Sequence, residues 1–189
     1  MYERKNEATI NGSPLIVIGR KLTPGEMAPE VSLEEWPLCP FQLLADTAGK
    51  IRVISVVPCI DTGLCEMQTI RMNEEAGAFG DRVATITVSA DLPAGQARFT
   101  GRVGIENLQM LSDHLDMAFG AAYGTWLKEL RNEQRSIFVI DANDIIRHAQ
   151  YVGEVGHAID YDAAIKVVRA LLAEEKDGFQ RPTNKGRLA

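Results

Sequence analysis

A chain of 189 residues with 46% hydrophobic and 24% charged side chains has the balance of one globular domain, which excludes a disordered protein. Its formal charge of -6, with Lys and Arg scattered through the body, argues against a nucleic-acid surface, and no apolar run approaches the ~20 residues that span a bilayer. Three cysteines, Cys39, Cys59 and Cys65, are too few and odd in number for a disulfide scaffold, so free thiols in a reducing cytoplasm are expected.

In chain order, the polar opening from Met1 to Glu7 lacks the apolar core of a secretory signal. Ala8 to Ile18 reads as a hairpin about Asn11-Gly12, with β-branched residues on both sides. A loop punctuated by Pro24, Gly25 and Pro29 follows, then a short strand at Glu30–Leu33 with Phe41–Leu44 as its partner. Asp46 to Lys50 is a turn before Val53–Val57, an apolar run that predicts a buried strand.

Glu66 to Ala76 contains good helix formers and neither Pro nor Gly. Arg82–Ser89 is a second buried strand, and Pro93 opens a short helix through Phe99. Gln109–Ser112 is a brief strand, Ala118–Tyr123 a helical turn, and 126–132 an amphipathic or loop segment. Ser136–Asp141 and Ile145–Val152 form a hairpin around Ala142-Asn143-Asp144. Apolar residues at helical spacing predict a last helix from Tyr161 to about Glu175, and the polar stretch from Lys176 is expected to be a disordered tail. Strands alternating with helices, then a hairpin and a closing helix, predict an α/β sandwich with a mixed sheet.

The chain is organised around Pro58-Cys59-Ile60-Asp61-Thr62-Gly63-Leu64-Cys65. A strand that breaks at Pro58 and restarts as a helix leaves Cys65 near the helix N-terminus. Unpaired N–H groups and the macrodipole there favour thiolate over thiol.

Pro58, Thr62 and Cys65 match the Pro-x-x-x-Thr-x-x-Cys signature, so the chain resembles the peroxiredoxins. The run Ile60 to Cys65 narrows the resemblance to bacterial thiol peroxidases. Ser89-Ala90-Asp91-Leu92-Pro93 with Gln96 and Arg98-Phe99, Arg135 opening a strand that ends in Asp141, and Gly12-Ser13-Pro14-Leu15 in the hairpin extend it over residues 8–174. The resemblance implies one thioredoxin-like domain over residues 1–175, with an N-terminal β-hairpin and a mixed central sheet flanked by helices. It also implies a homodimer that needs no cofactor or metal and reduces hydrogen peroxide and organic hydroperoxides. Cys65 would be the peroxidatic cysteine, Thr62 would orient the peroxide, Arg135 would stabilise the thiolate and the charge developing on oxygen, and Pro58 would shield the site. Asp61 and Glu66, whose charges oppose a thiolate, are expected to face outward.

One position departs from the subfamily. Its resolving cysteine follows the Arg-Phe pair, where this chain has Thr100, and a hydroxyl cannot carry out thiol–disulfide exchange. Recycling then falls to an external thiol such as thioredoxin, to Cys59, or to Cys39. A peroxide sensor on the same fold is the rival function, because a lingering sulfenate can pass oxidation on. A thioredoxin-fold disulfide reductase is disfavoured, since there is no Cys-x-x-Cys.

His114, His148 and His157 lack zinc-site spacing, and two surface histidines with a strand histidine at His148 are expected. Gly101-Arg102-Val103-Gly104 lacks the preceding strand of a dinucleotide fingerprint. Trp36 and Trp126 read as packing or interface residues, Arg98 as either a site-facing residue or a surface one, and Arg131 as a decoy for Arg135.

Overall fold

The computed structural model describes residues 2–179. In chain order the elements are β1 (Glu3–Ile10), β2 (Ser13–Ile18), β3 (Ser32–Trp36), β4 (Cys39–Gln42), β5 (Ile51–Val56), α1 (Gly63–Phe79), β6 (Val83–Ser89) and α2 (Pro93–Val103). They continue as β7 (Gln109–Ser112), α3 (Ala118–Tyr123), β8 (Trp126–Leu127), β9 (Asn132–Glu133), β10 (Ser136–Ile140), β11 (Ile146–Tyr151) and α4 (Tyr161–Phe179), with one 3-10 turn at Ala45–Thr47.

The seven-stranded sheet has the order β11-β10-β5-β6-β7-β3-β4. Strands β5, β6 and β7 are parallel, while β10, β11, β3 and β4 pair antiparallel, so the sheet is mixed as expected. Every residue of β5 and β10 is buried, because both faces of the sheet are covered. Ile54 and Val56 face the side where Phe119 and Tyr123 of α3 pack. Ile51 and Val53 face Met72 and Phe79 of α1 and Ala164, Ile165, Val168 and Leu171 of α4. This alternation turns continuous apolar runs into two cores, each fully buried aliphatic side chain contributing about 1.5–3 kcal/mol of transfer free energy.

A smaller sheet, β1-β2-β8-β9, lies apart from the first. Its hairpin turns at Asn11 and Gly12, both with positive φ (50° and 75°), the geometry of a type I′ turn. The hairpin begins at Glu3 rather than Ala8. The polar residues pair through their backbones with Ile16, Val17 and Ile18, across a bulge between Lys5 and Ala8.

The segment 126–132 read as amphipathic or loop instead supplies the strands β8 and β9, which reverse through Arg131 at φ 49°. Helix α1 starts earlier and ends later than expected, and α2 continues to Val103. The last helix also runs past Glu175, so residues 176–179 are helical rather than tail. The rest of the expected tail, 180–189, lies outside the described residues. No described helix is long and apolar enough to cross a membrane.

Candidate active site

The C-terminal ends of β5, β6 and β7 open towards the start of α1, the edge at which α/β sheets place their chemistry. Pro58 is buried just after β5, and the chain turns there so that Cys65 is the third residue of α1. Cys65 is 1% exposed and walled by Val57, Ile60, Phe99 and Met110. Thr62 is the N-cap, with φ -111° and ψ 141°, yet its hydroxyl caps no backbone N–H. The Thr62 Oγ1 lies 2.9 Å from Cys65 Sγ and 3.4 Å from the Cys59 carbonyl, so the shorter contact is to sulfur.

Arg135 reaches the same sulfur from the sheet. It immediately precedes β10, is 2% exposed, and donates from Nη2 to Cys65 Sγ at 3.3 Å. Its Nη1 donates to Gln68 Oε1 at 2.8 Å and its Nε to the Val155 carbonyl at 3.3 Å. Gln68 is held in turn by donating to Ser55 Oγ (2.9 Å) and the Val56 carbonyl (3.2 Å). The guanidinium is thus fixed from three directions in a dry site, where a cation beside sulfur favours the anion most strongly. Gln68 went unnoticed in the sequence. Its signal is a polar residue one turn after Cys65 on the buried stripe that continues through Met72, Ala76 and Phe79.

A family model described as Redoxin matches residues 23–165. A thiol peroxidase of Bacillus subtilis (strain 168) is 44% identical over 171 residues, covering 88% of this chain and 98% of that protein. One from Staphylococcus aureus (strain MRSA252) is 40% identical over 159 residues, covering 84% and 95%. The chain belongs to the thiol peroxidase subfamily of the redoxin family. Among solved structures, a peroxiredoxin-like protein from Aquifex aeolicus superposes with a TM-score of 0.80 at 27% identity, covering 90% of this chain and 99% of that one. The fold of this peroxiredoxin is accordingly thioredoxin-like, as the resemblance implied.

Around the peroxiredoxin loop, Asp61 is exposed and Glu66 is paired with Arg102 at 2.6 Å, so both point away from the sulfur as expected. Cys59 is half-buried, 3.6 Å from Asp91 Oδ1, while Asp91 Oδ2 accepts from the Ile60 N–H at 2.9 Å. Burial above all pushes the Cys59 thiol up; the Asp61 N–H pulls it back, and the Asp91 charge and hydrogen bond add to the rise. Ligand-type atoms of Cys59, Asp61 and Asp91 lie within 4.8 Å of one another, an arrangement that acidic groups at a loop surface commonly adopt without an ion. Cys39 is exposed, opposite Trp36 in the β3–β4 hairpin. Thr100 donates to the Ala97 carbonyl within α2 at 2.9 Å.

None of the remaining sequence candidates hydrogen-bonds the Cys65 sulfur. Arg98 is exposed on α2, where it lines a groove with Trp36, Ile60 and Asp61 beside the Cys65 loop, and Arg131 is exposed at the β8–β9 turn. His157 is exposed and His148 lies on β11, as expected, but His114 is half-buried with Nδ1 2.9 Å from Ser112 Oγ. Gly101 to Val103 end α2 and Gly104 is its left-handed C-cap, a helix terminus rather than a phosphate loop. Trp36 is 53% exposed, and Trp126 is half-buried across from Glu133.

Proposed function

We propose that the chain reduces hydrogen peroxide and organic hydroperoxides with Cys65 as peroxidatic cysteine and an external thiol as reductant. The observation that carries this reading is the pair of donors, Thr62 Oγ1 and Arg135 Nη2, that converge on one buried sulfur at the start of α1. The Cys65 thiolate attacks one peroxide oxygen. The S–O bond forms as the O–O bond breaks, and the departing oxygen takes a proton and leaves as water or alcohol. Sulfur is oxidised by two electrons to sulfenic acid as the peroxide is reduced. Arg135 stabilises charge on sulfur and on the reacting oxygens, Thr62 orients the peroxide, and Pro58 with the apolar wall limits water.

An external thiolate then attacks the sulfenic sulfur and water leaves. A second thiol displaces the mixed disulfide and restores Cys65. Thioredoxin or another thiol suits this role. Thr100 offers no sulfur, the Cys59 sulfur is turned to Asp91 at 3.6 Å, and Cys39 sits on a hairpin at the edge of the sheet. The names of the relatives favour a turning-over peroxidase above a sensor.

The reading carries with it one domain acting as a cytoplasmic homodimer. Supporting the dimer, Trp36 and Leu92 are largely exposed and share a groove with Ile60 and Phe99 beside the Cys65 loop, lined also by charges of both signs at Asp61, Asp91, Arg98 and Arg102, a mixed surface suited to a second subunit. Three free thiols suit a reducing compartment. The test is peroxide consumption under excess dithiothreitol or thioredoxin. Many turnovers are expected of the native chain and none of Cys65→Ser; turnover by that variant would remove the central assignment.

A further inference from the structure

The Val155 carbonyl that receives Arg135 Nε belongs to a segment, 152–155, held from both sides. On the inner side, the Val152 N–H donates to the Arg135 carbonyl at 2.9 Å and Gln134 Nε2 to the Val152 carbonyl at 2.9 Å. On the outer side, the N-terminal hairpin grips it. The Thr9 N–H donates to the Gly153 carbonyl at 2.7 Å, and the Val155 N–H to the Thr9 carbonyl at 2.9 Å.

Glu154 lies at the centre of this grip. Its Oε2 accepts from Thr9 Oγ1 at 2.6 Å and from the Gly12 N–H at 3.2 Å. Its Oε1 accepts from the N–H groups of Asn11 at 3.0 Å and Gly156 at 3.4 Å. One carboxylate therefore fastens the hairpin turn to the residue next to the carbonyl that aims the arginine.

We propose that Glu154 is a positioning residue for peroxide reduction: it locks the N-terminal hairpin onto residues 152–155 and so fixes the carbonyl that orients Arg135 towards Cys65. The hairpin is then an outer support of the active site. Hydrogen bonds to the carboxylate, led by that of Thr9, hold the Glu154 carboxyl down at about 2, so the lock stays charged throughout the neutral range. Without it, the peptide carrying Val155 is held by fewer bonds. Arg135 keeps Gln68 but loses a defined partner for Nε, so the loss is smaller than that of the guanidinium itself. The inference rests on the role of Arg135 proposed above.

The test follows the ultraviolet absorbance of the Cys65 thiolate against pH, with Cys39 and Cys59 changed to Ser, and the rate of Cys65 oxidation by hydrogen peroxide. Glu154→Gln keeps the shape of the side chain but puts an NH2 group where an acceptor faced a donor. It is expected to move the titration to higher pH and slow oxidation about tenfold at neutral pH, against about a hundredfold for Arg135→Ala. Thr9→Val, which removes the hydroxyl's hydrogen bond to Glu154 and its longer one to the Gly153 carbonyl at 3.4 Å, moves both in the same direction by less, and carries the test if Glu154→Gln does not fold. Lys128→Met breaks the ion pair with Glu3 in the same small sheet and is expected to change neither. If Arg135→Ala shifts the titration while Glu154→Gln and Thr9→Val do not, the positioning role is overturned alone. If Arg135→Ala leaves it unmoved, the role of Arg135 fails and the inference with it. An equal shift from Lys128→Met reduces the effect to general loosening of the hairpin and overturns the proposal.

Discussion

Thr62 occupies the N-cap of the helix that carries Cys65, but its hydroxyl is directed to the cysteine sulfur, 2.9 Å away, rather than to a backbone N–H. A threonine in this position ordinarily stabilises a helix by about 1 kcal/mol through its side-chain oxygen. Here the hydroxyl is committed to chemistry, and the helix start goes without a side-chain cap.

Thr62→Val should therefore slow Cys65 oxidation by roughly tenfold or more while costing less than the ~1 kcal/mol of an ordinary lost cap. Thr62→Ser should restore most of the rate. Stopped-flow oxidation paired with thermal unfolding separates the two effects, and a variant that unfolds early but oxidises normally would reverse the assignment.

Gln68 joins α1 to the sheet and to Arg135 at once, through Ser55 Oγ, the Val56 carbonyl and Arg135 Nη1. Gln68→Leu keeps the volume but leaves Nη1 without its acceptor in a buried place, a loss of about 1–3 kcal/mol. The expected result is slower oxidation of Cys65 with its pH–rate profile displaced upward. An unchanged profile would mean that the arginine is held without the glutamine.

Glu133 is fully buried on β9, accepts from the Thr125 hydroxyl, and faces Asp113, whose own oxygens accept from the Phe119 and Gly120 N–H groups at 3.0 and 2.8 Å. Burial first, and the Asp113 charge second, push the Glu133 carboxyl well above its ordinary 4.5; burial raises Asp113 as well. The folded state thus keeps a proton that the unfolded chain has already released. The resulting stability is full below the unfolded value and is lost as pH rises through the folded one, at about 1.4 kcal/mol for each unit of separation. Melting temperature should fall from acidic to alkaline pH across that window, and Glu133→Gln should flatten the fall. Parallel curves for the two proteins would contradict it.

The central strands and the Cys65 loop were legible in the sequence because their signals are strong. Apolar runs at 53–57 and 136–140 report a sheet covered on both faces, and Pro58, Thr62 and Cys65 keep a fixed spacing. Strands β8 and β9 are too short for any periodicity to show, and the polar half of β1 is a strand because of what its backbone pairs with. Arg135 could be placed by sequence, but its supports could not. Gln68 resembles any polar helix residue until its face is known to be buried, and a backbone carbonyl such as that of Val155 has no side-chain signature. Cys59 shows the same limit, because its neighbour Asp91 is thirty-two residues away in the chain.

The most direct measurement is peptide mapping after one equivalent of hydrogen peroxide without added thiol, with dimedone present to trap sulfenic acid. The expected product is a dimedone adduct on Cys65, with Cys39 and Cys59 recovered as thiols. A Cys59–Cys65 or Cys39–Cys65 disulfide would contradict the external-thiol route, and an untouched Cys65 would contradict the peroxidatic assignment itself.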